Sequence, residues 1–173
     1  FTKLRALPGG GPAMHALARV RDRGALHLTL IGEGDFSDEL HRLIAELDLH
    51  DMVSFDNRMY PLHDMPARLA PFDLGFVPME RSSVIDYALP LKLLEYTSLG
   101  LPSIGVRNIA VQHYFSEDDC LYYEPSDPDS LTALLERYVA LRPVIEQRGA
   151  RLRVLVVDDG STDGTTAAAN RFR

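Results

Sequence analysis

The sequence predicts an α/β domain built on a parallel sheet flanked by helices, and three observations carry that expectation. Short apolar runs alternate with amphipathic stretches through most of the 173 residues. The loops between them are short, as connections in α/β units are. Several strand candidates are apolar at successive positions, the pattern of strands covered on both faces.

The elements follow in order. After Pro8-Gly9-Gly10-Gly11, residues Pro12 to Arg23 place Met14, Leu17, Ala18 and Val20 on one helical face. Pro12 suits a first helical turn and Gly24 a stop. Leu26 to Ile31 reads as a buried strand, Gly32-Glu33-Gly34-Asp35 as a tight turn, and Ser37 to Leu47 as a helix with Leu40, Leu43, Ile44 and Leu47 inward. The cycle repeats with a strand at Val53–Phe55, a helix at Leu62–Leu69 and a strand at Leu74–Val77. A helix at Leu91–Leu99 is stopped by Gly100, and a strand follows at Leu101–Val106. A short helix at Ala110–Phe115, a strand at Cys120–Tyr123 and a long helix at Asp127–Leu141 complete the run. Asp127 and Pro128 supply the last helix with a cap and a first-turn proline. Repeats of this kind predict a Rossmann-like domain. Ligands bind such sheets outside the carboxyl ends of the strands, so the loops after Ile31, Phe55, Val77 and Val106 are expected to share one rim.

Beyond Arg142 the pattern changes. Residues Arg142 to Arg151 read as a helix with a linker, and a domain boundary is placed near Ala150. A Val-rich strand at Arg153–Val157 then runs into Asp158-Asp159-Gly160-Ser161-Thr162-Asp163-Gly164-Thr165, with a helix start at Thr166–Phe172. Residues 1–150 are thus expected to form one domain and 151–173 a fragment of another. The alternative is that this strand finishes the first sheet, because an apolar strand needs a partner.

Charge excludes one class of function. With 18 Lys and Arg against 25 Asp and Glu, the net charge of -7 disfavours nucleic acid as a partner. An anionic ligand would have to be held locally, by helix ends and a few cations. Cys120 is the single cysteine, so no internal disulfide can form, and its apolar neighbours predict a core position. The six histidines show no metal-ligand spacing with an acid or cysteine, so no metal is expected. No apolar run approaches the ~20 residues of a membrane span. A cytoplasmic location is expected, any membrane association being left to parts outside the sequence, which begins at Phe1 and looks incomplete at both ends.

Four pieces of the rim are candidates for ligand binding. In Ala88-Leu89-Pro90-Leu91-Lys92-Leu93-Leu94-Glu95-Tyr96, Pro90 opens a helix. The amides of Leu91, Lys92 and Leu93 are then expected to be unpaired donors at an end carrying about half a positive charge. A diphosphate suits that end, with Lys92 in the same turn. Glu95, one turn on, can accept hydrogen bonds from a ribose diol. The alternative is a surface helix with a solvated lysine and glutamate. Gly32, Glu33 and Gly34 let backbone approach a ligand closely, or form a plain turn. Asn57 and Arg58 follow the second strand, where backbone could meet a base edge and Arg58 a phosphate. Glu80 lies in a polar loop, Pro78 to Ser83, that can reach a sugar or phosphate.

Leu28-Thr29-Leu30-Ile31-Gly32-Glu33-Gly34, the Phe55 strand end, Phe72-Asp73-Leu74-Gly75-Phe76-Val77-Pro78 and the Ala88–Tyr96 run together resemble the C-terminal domain of family-4 glycosyltransferases. The likeness covers about residues 10 to 148. It implies a GT-B fold and a generally retaining enzyme, whose domain here binds a nucleotide diphosphate sugar as donor substrate. It also implies Glu95 on the ribose and the Pro90–Lys92 turn facing the diphosphate, which makes Lys92 and Glu95 the catalytic candidates. The family often carries a second glutamate where this chain has Tyr87, and its basic pair is not matched by Lys3 and Arg5. The acceptor, a glycan, lipid or small molecule, would bind through an N-terminal domain absent from the sequence. The chain alone is therefore expected to bind donor better than it turns it over. The tail from Val156 to Thr165 resembles the start of family-2 glycosyltransferases of GT-A fold, which implies a second nucleotide site at Asp158 and Asp159. A response-regulator receiver also pairs aspartates after such a strand. Other readings of the whole chain are a non-catalytic nucleotide-binding or interaction module and a nucleotide-sugar epimerase. The epimerase would bring extra catalytic acids and histidines that this sequence lacks.

Overall fold

The computed structural model describes residues 10–20, 26–34, 36–79, 85–140 and 154–157. Six strands, β1 (Leu28–Ile31), β2 (Val53–Asp56), β3 (Leu74–Phe76), β4 (Ser103–Val106), β5 (Leu121–Tyr123) and β6 (Val154–Val157), form one sheet in the order β2-β1-β6-β3-β4-β5. Every neighbouring pair is parallel. Helices α1 (Gly10–Ala18), α2 (Ser37–Glu46), α3 (Met65–Leu69), α4 (Leu91–Ser98), α5 (Ile109–Tyr114) and α6 (Pro128–Ala140) connect and cover it. The expected Rossmann-like α/β fold is present.

The strands are apolar because helices cover them. Every residue of β3 and β4 is buried, so alternation would have placed polar groups against packed side chains. The expected inward faces hold at Met14 and Leu17 in α1, at Val20 just beyond it, and at Leu40, Leu43 and Ile44 in α2, all buried, while Ala18 and Leu47 are only partly covered. α1 and α6 pack together, tied by an Arg19–Asp129 ion pair and by Thr132 Oγ1 donating to the Ala16 carbonyl at 3.1 Å. The Asp127 cap forms as expected, Oδ1 accepting from the Asp129 and Ser130 amides at 3.0 and 3.1 Å.

Element ends differ from expectation for local reasons. α1 stops at Ala18 rather than Arg23, because the Arg19 and Val20 amides bond back to the Ala16 and Leu17 carbonyls and tighten the last turn. Gly24, the expected stop, lies outside the described residues. The single helix expected over Leu62–Leu69 is a 3-10 turn at Leu62–Asp64 followed by α3. Pro66 sits at the start of α3, where its missing N–H is tolerated, and cannot lie deeper in a continuous helix. The linker and boundary near Ala150 and the helix start at Thr166 also lie outside the described residues, whereas the Val-rich strand is β6, at the centre of the sheet.

Two glycines sit where other residues would collide. A Cβ on Gly75 would overlap the ring of Tyr96, which is fully buried, and one on Gly105 would lie 2.9 Å from Cys120 Sγ. Gly75→Ala is expected to destabilise the domain by about 2–3 kcal/mol in denaturant unfolding, the range of overpacked cores. Cys120 is a core residue at 3% exposure, and burial pushes its thiol from the ordinary 9.0 up to about 11. A raised folded value means that between about pH 9 and 11 the unfolded chain loses a proton that the folded chain keeps. Stability is thus undiminished below pH 9 and falls as pH rises through that window, by on the order of 2 kcal/mol. Cys120→Ala should flatten this part of a stability-against-pH curve, and an unchanged slope would assign the alkaline loss to other groups.

Candidate functional site

In a parallel sheet the loops after every strand leave from one edge, so the described parts of the predicted pieces share the carboxyl rim. α4 begins there. Pro90 caps it with extended backbone (φ -66°, ψ 124°) and no side-chain cap bond. Its inner face buries Leu93 and Tyr96 completely, each contributing roughly 1.5–3 kcal/mol of apolar burial. Gly100 ends it at φ 67°, a left-handed turn that lets the Leu101 amide reach the Tyr96 carbonyl at 2.9 Å.

The first turn differs in one respect from the expectation of three unpaired amides. The Leu93 N–H donates to the Pro90 carbonyl at 3.1 Å, closing a 3-10 turn at the helix start. Lys92 is buried, at 7% exposure, and its Nζ donates to Glu95 Oε2 at 2.8 Å. The two expected site residues are thus brought together as an i,i+3 pair whose glutamate remains partly open, with 31% of its side chain exposed. This is not the solvated lysine of a surface helix. Leu91, beside it, is exposed.

The other pieces assemble on the β2-β1 side. Gly32 takes φ 152°, a backbone that glycine adopts readily, and its amide donates to the Asp56 carbonyl at 3.2 Å. Ser37 Oγ accepts from the Gly34 amide at 3.2 Å and donates to Asn57 Oδ1 at 2.9 Å. The loop after β1, the start of α2 and the loop after β2 are therefore one hydrogen-bonded unit. Glu33 and Arg58 are exposed, Arg58 lying 3.8 Å from Asp56 Oδ1. Asp56 also accepts from the Tyr60 hydroxyl at 2.6 Å, and the Arg68 guanidinium covers the Tyr60 ring at 3.3 Å. Glu80, Asp158 and Asp159 lie outside the described residues.

Two positioning residues were not foreseen. Asn108, buried after β4, accepts from the Val111 amide through Oδ1 at 2.7 Å, capping α5. Its Nδ2 donates to the Ala88 carbonyl at 3.0 Å, just before α4. An asparagine before an apolar helical run is a legible cap signal; its second bond is not. Tyr123, at the end of β5, accepts from the Met79 amide at 2.7 Å and bonds the Val77 and Met79 carbonyls at 3.3 Å. Nothing in the local sequence announces a contact across that many residues.

A cleft of about 420 Å³ lies at the opposite edge, between the residues that lead into β3 and β4. Phe72, Leu101 and Tyr138 are among its walls. Burial, with Asp73 adding to it, pushes the Tyr138 phenol up to about 12. None of the described candidate site residues lines this cleft. Among the described residues no helix is long and apolar enough to cross a membrane, and no three His, Cys, Asp or Glu side chains gather as a metal cage.

A six-stranded parallel sheet with its polar, partly buried groups at the carboxyl rim defines a Rossmann-like domain of the kind found in GT-B proteins. Residues 12–140 match the family Glycosyl transferases group 1, three quarters of the chain, and the chain belongs to that family. It is a glycosyltransferase domain. Among curated proteins, none matches the chain.

Asn108→Ala is expected to cost about 1–2 kcal/mol in denaturant unfolding, from the lost cap and the unpaired Ala88 carbonyl. Asn108→Asp keeps the acceptor and loses the donor, so it should recover part of that cost; a full recovery would mean that the Ala88 bond is idle.

Proposed function

We propose that this domain binds the donor, a nucleotide diphosphate sugar, with the first turn of α4 at the diphosphate and Glu95 at the ribose, as in the family-4 enzymes that the sequence resembles. The observation that carries the proposal is the buried Lys92 paired with a half-open Glu95 in a proline-opened turn at the rim. A lysine ammonium is rarely buried without a purpose for its charge. Here it is paired with Glu95, and it adds to the positive end of the helix. Diphosphate leaving from a sugar gains negative charge in the transition state, and a fixed cation with a helix start stabilises that charge. Glu95 Oε2 is held by Lys92, and the other carboxylate oxygen is offered to the ribose diol. The Gly32–Gly34 backbone and the Ser37–Asn57 unit support the nucleoside side, the exposed Arg58 is available to a phosphate, and the sequence alone assigns Glu80 to the sugar. The transfer is of the hexosyl, retaining type.

Calorimetry against UDP, GDP and ADP tests this. Lys92→Ala should weaken the preferred diphosphate by roughly 10- to 100-fold, the worth of a charge-assisted contact. Glu95→Gln should weaken the nucleoside diphosphate while leaving inorganic pyrophosphate unchanged. Unaltered affinity in a folded Lys92→Ala protein would sink the assignment. Transfer activity with no nucleotide affinity at this rim would place the donor elsewhere.

A further inference from the structure

The connectivity of the sheet holds a feature independent of any ligand. β1 to β5 follow one another with a helix or helical turns between each pair, yet β1 and β3 are not paired with each other. Between them lies a slot one strand wide, filled by β6 from beyond the family match. β6 is bonded on both sides. Leu28 to Ile31 run in register with Val154 to Val157, and Leu74 to Phe76 with Val154 to Val156. Without β6 the sheet would fall into a β2-β1 half and a β3-β4-β5 half. Two rows of backbone donors and acceptors would then be left unpaired inside the domain.

The order is informative when β6 is counted first. The sheet then reads 3-2-1-4-5-6, the common doubly wound order. In that order the first strand feeds directly into the helix that leads to the second, and α1 leads to β1 here. The slot is thus shaped for a strand entering α1, but it is filled by chain that follows α6. Thirteen residues, 141–153, separate Ala140 from Val154. They can span up to about 44 Å, so the tether alone does not choose this slot. What selects β6 is the double ladder, and the sequence Val-Leu-Val-Val, apolar at every position, has the composition of a strand flanked on both sides.

We infer that the gap between β1 and β3 is a strand-acceptor site, and that Val154–Val157 is an inserted strand that completes the sheet from the far end of the chain and can be replaced in trans by a peptide of the same sequence. The partner class is a short, parallel, apolar and β-branched strand, recognised by main-chain hydrogen bonds as in strand complementation. Neither the nucleotide proposal nor the identity of the donor enters this inference.

Hydrogen exchange on the intact protein is the first test. The amides of Val154–Val157 should be protected as strongly as those of β1 and β3; exchange at the rate of a free tail would overturn the insertion. Val156→Pro in the full chain removes a ladder donor opposite Leu30 and Phe76 and should lower Tm by at least about 8 °C. Excess synthetic peptide covering residues 151–160 should restore most of that loss, while a scrambled peptide should not. An unchanged Tm overturns the insertion, and a fallen Tm that the peptide does not lift overturns the acceptor site. Should the proline variant not fold, Val156→Ala serves in its place. Faster exchange in both β1 and β3, reversed by peptide, supports the proposal, and faster exchange in neither sinks it.

Discussion

A parallel sheet gains its stability only when each inner strand is bonded on both sides, and here that condition is met through four residues at 154–157. β1 and β3 carry ladder groups that face each other across a strand's width, and Val154–Val157 satisfies both rows. The two halves of the sheet hold different parts of the rim. The Gly32–Asn57 unit belongs to the β2-β1 side, and the start of α4 to the β3-β4-β5 side. Their separation, two strand spacings or about 10 Å, is set by β6 and backed by the α1–α6 contact. The geometry of the site thus depends on residues outside the stretch that defines the family.

The rim works against the charge of the whole chain. A net charge of -7 repels anions at long range, so under the donor proposal the attraction would have to be short-range and fixed. Burying Lys92 serves that end, because a cation shielded from water acts more strongly on a neighbour than a solvated one. The Glu95 carboxylate accepts from the ammonium at 2.8 Å and is itself held in one position by it. The closure of the Leu93 amide onto Pro90 narrows the bare end of the helix, leaving the charge of Lys92 to supply more of the field there.

The elements were legible in the sequence because their causes are local. Pro90 starts α4 and Gly100 ends it through backbone geometry alone, and the runs at β3 and β4 declare their burial by lacking alternation. The i,i+3 spacing of Lys92 and Glu95 could be read as well. What could not be read was that the lysine would be covered, since that depends on packing around α4. The place of β6 was hidden for a similar reason. A Val-rich run says that a strand needs neighbours but not which ones, and β1 and β3 lie some 80 to 125 residues away. The extent of α1 was overestimated because apolar spacing continues past the point where its last turn tightens.

Two of the rim segments are placed by neutral hydrogen bonds. Asn108, from the end of β4, grips the Ala88 carbonyl, and Tyr123, from the end of β5, grips the backbone at Val77 and Met79. Both side chains are buried, Tyr123 within β5 and Asn108 two residues past β4, so they transmit the rigidity of the sheet to the segments that precede α4. A rim fixed in this way would lose little freedom on binding a ligand. It also inherits any looseness of the sheet, since a shift between β3, β4 and β5 would move the Asn108 and Tyr123 anchors with their strands. The same parallel ladder that organises the fold therefore holds the rim in shape, and the strand inserted at its centre stands upstream of both.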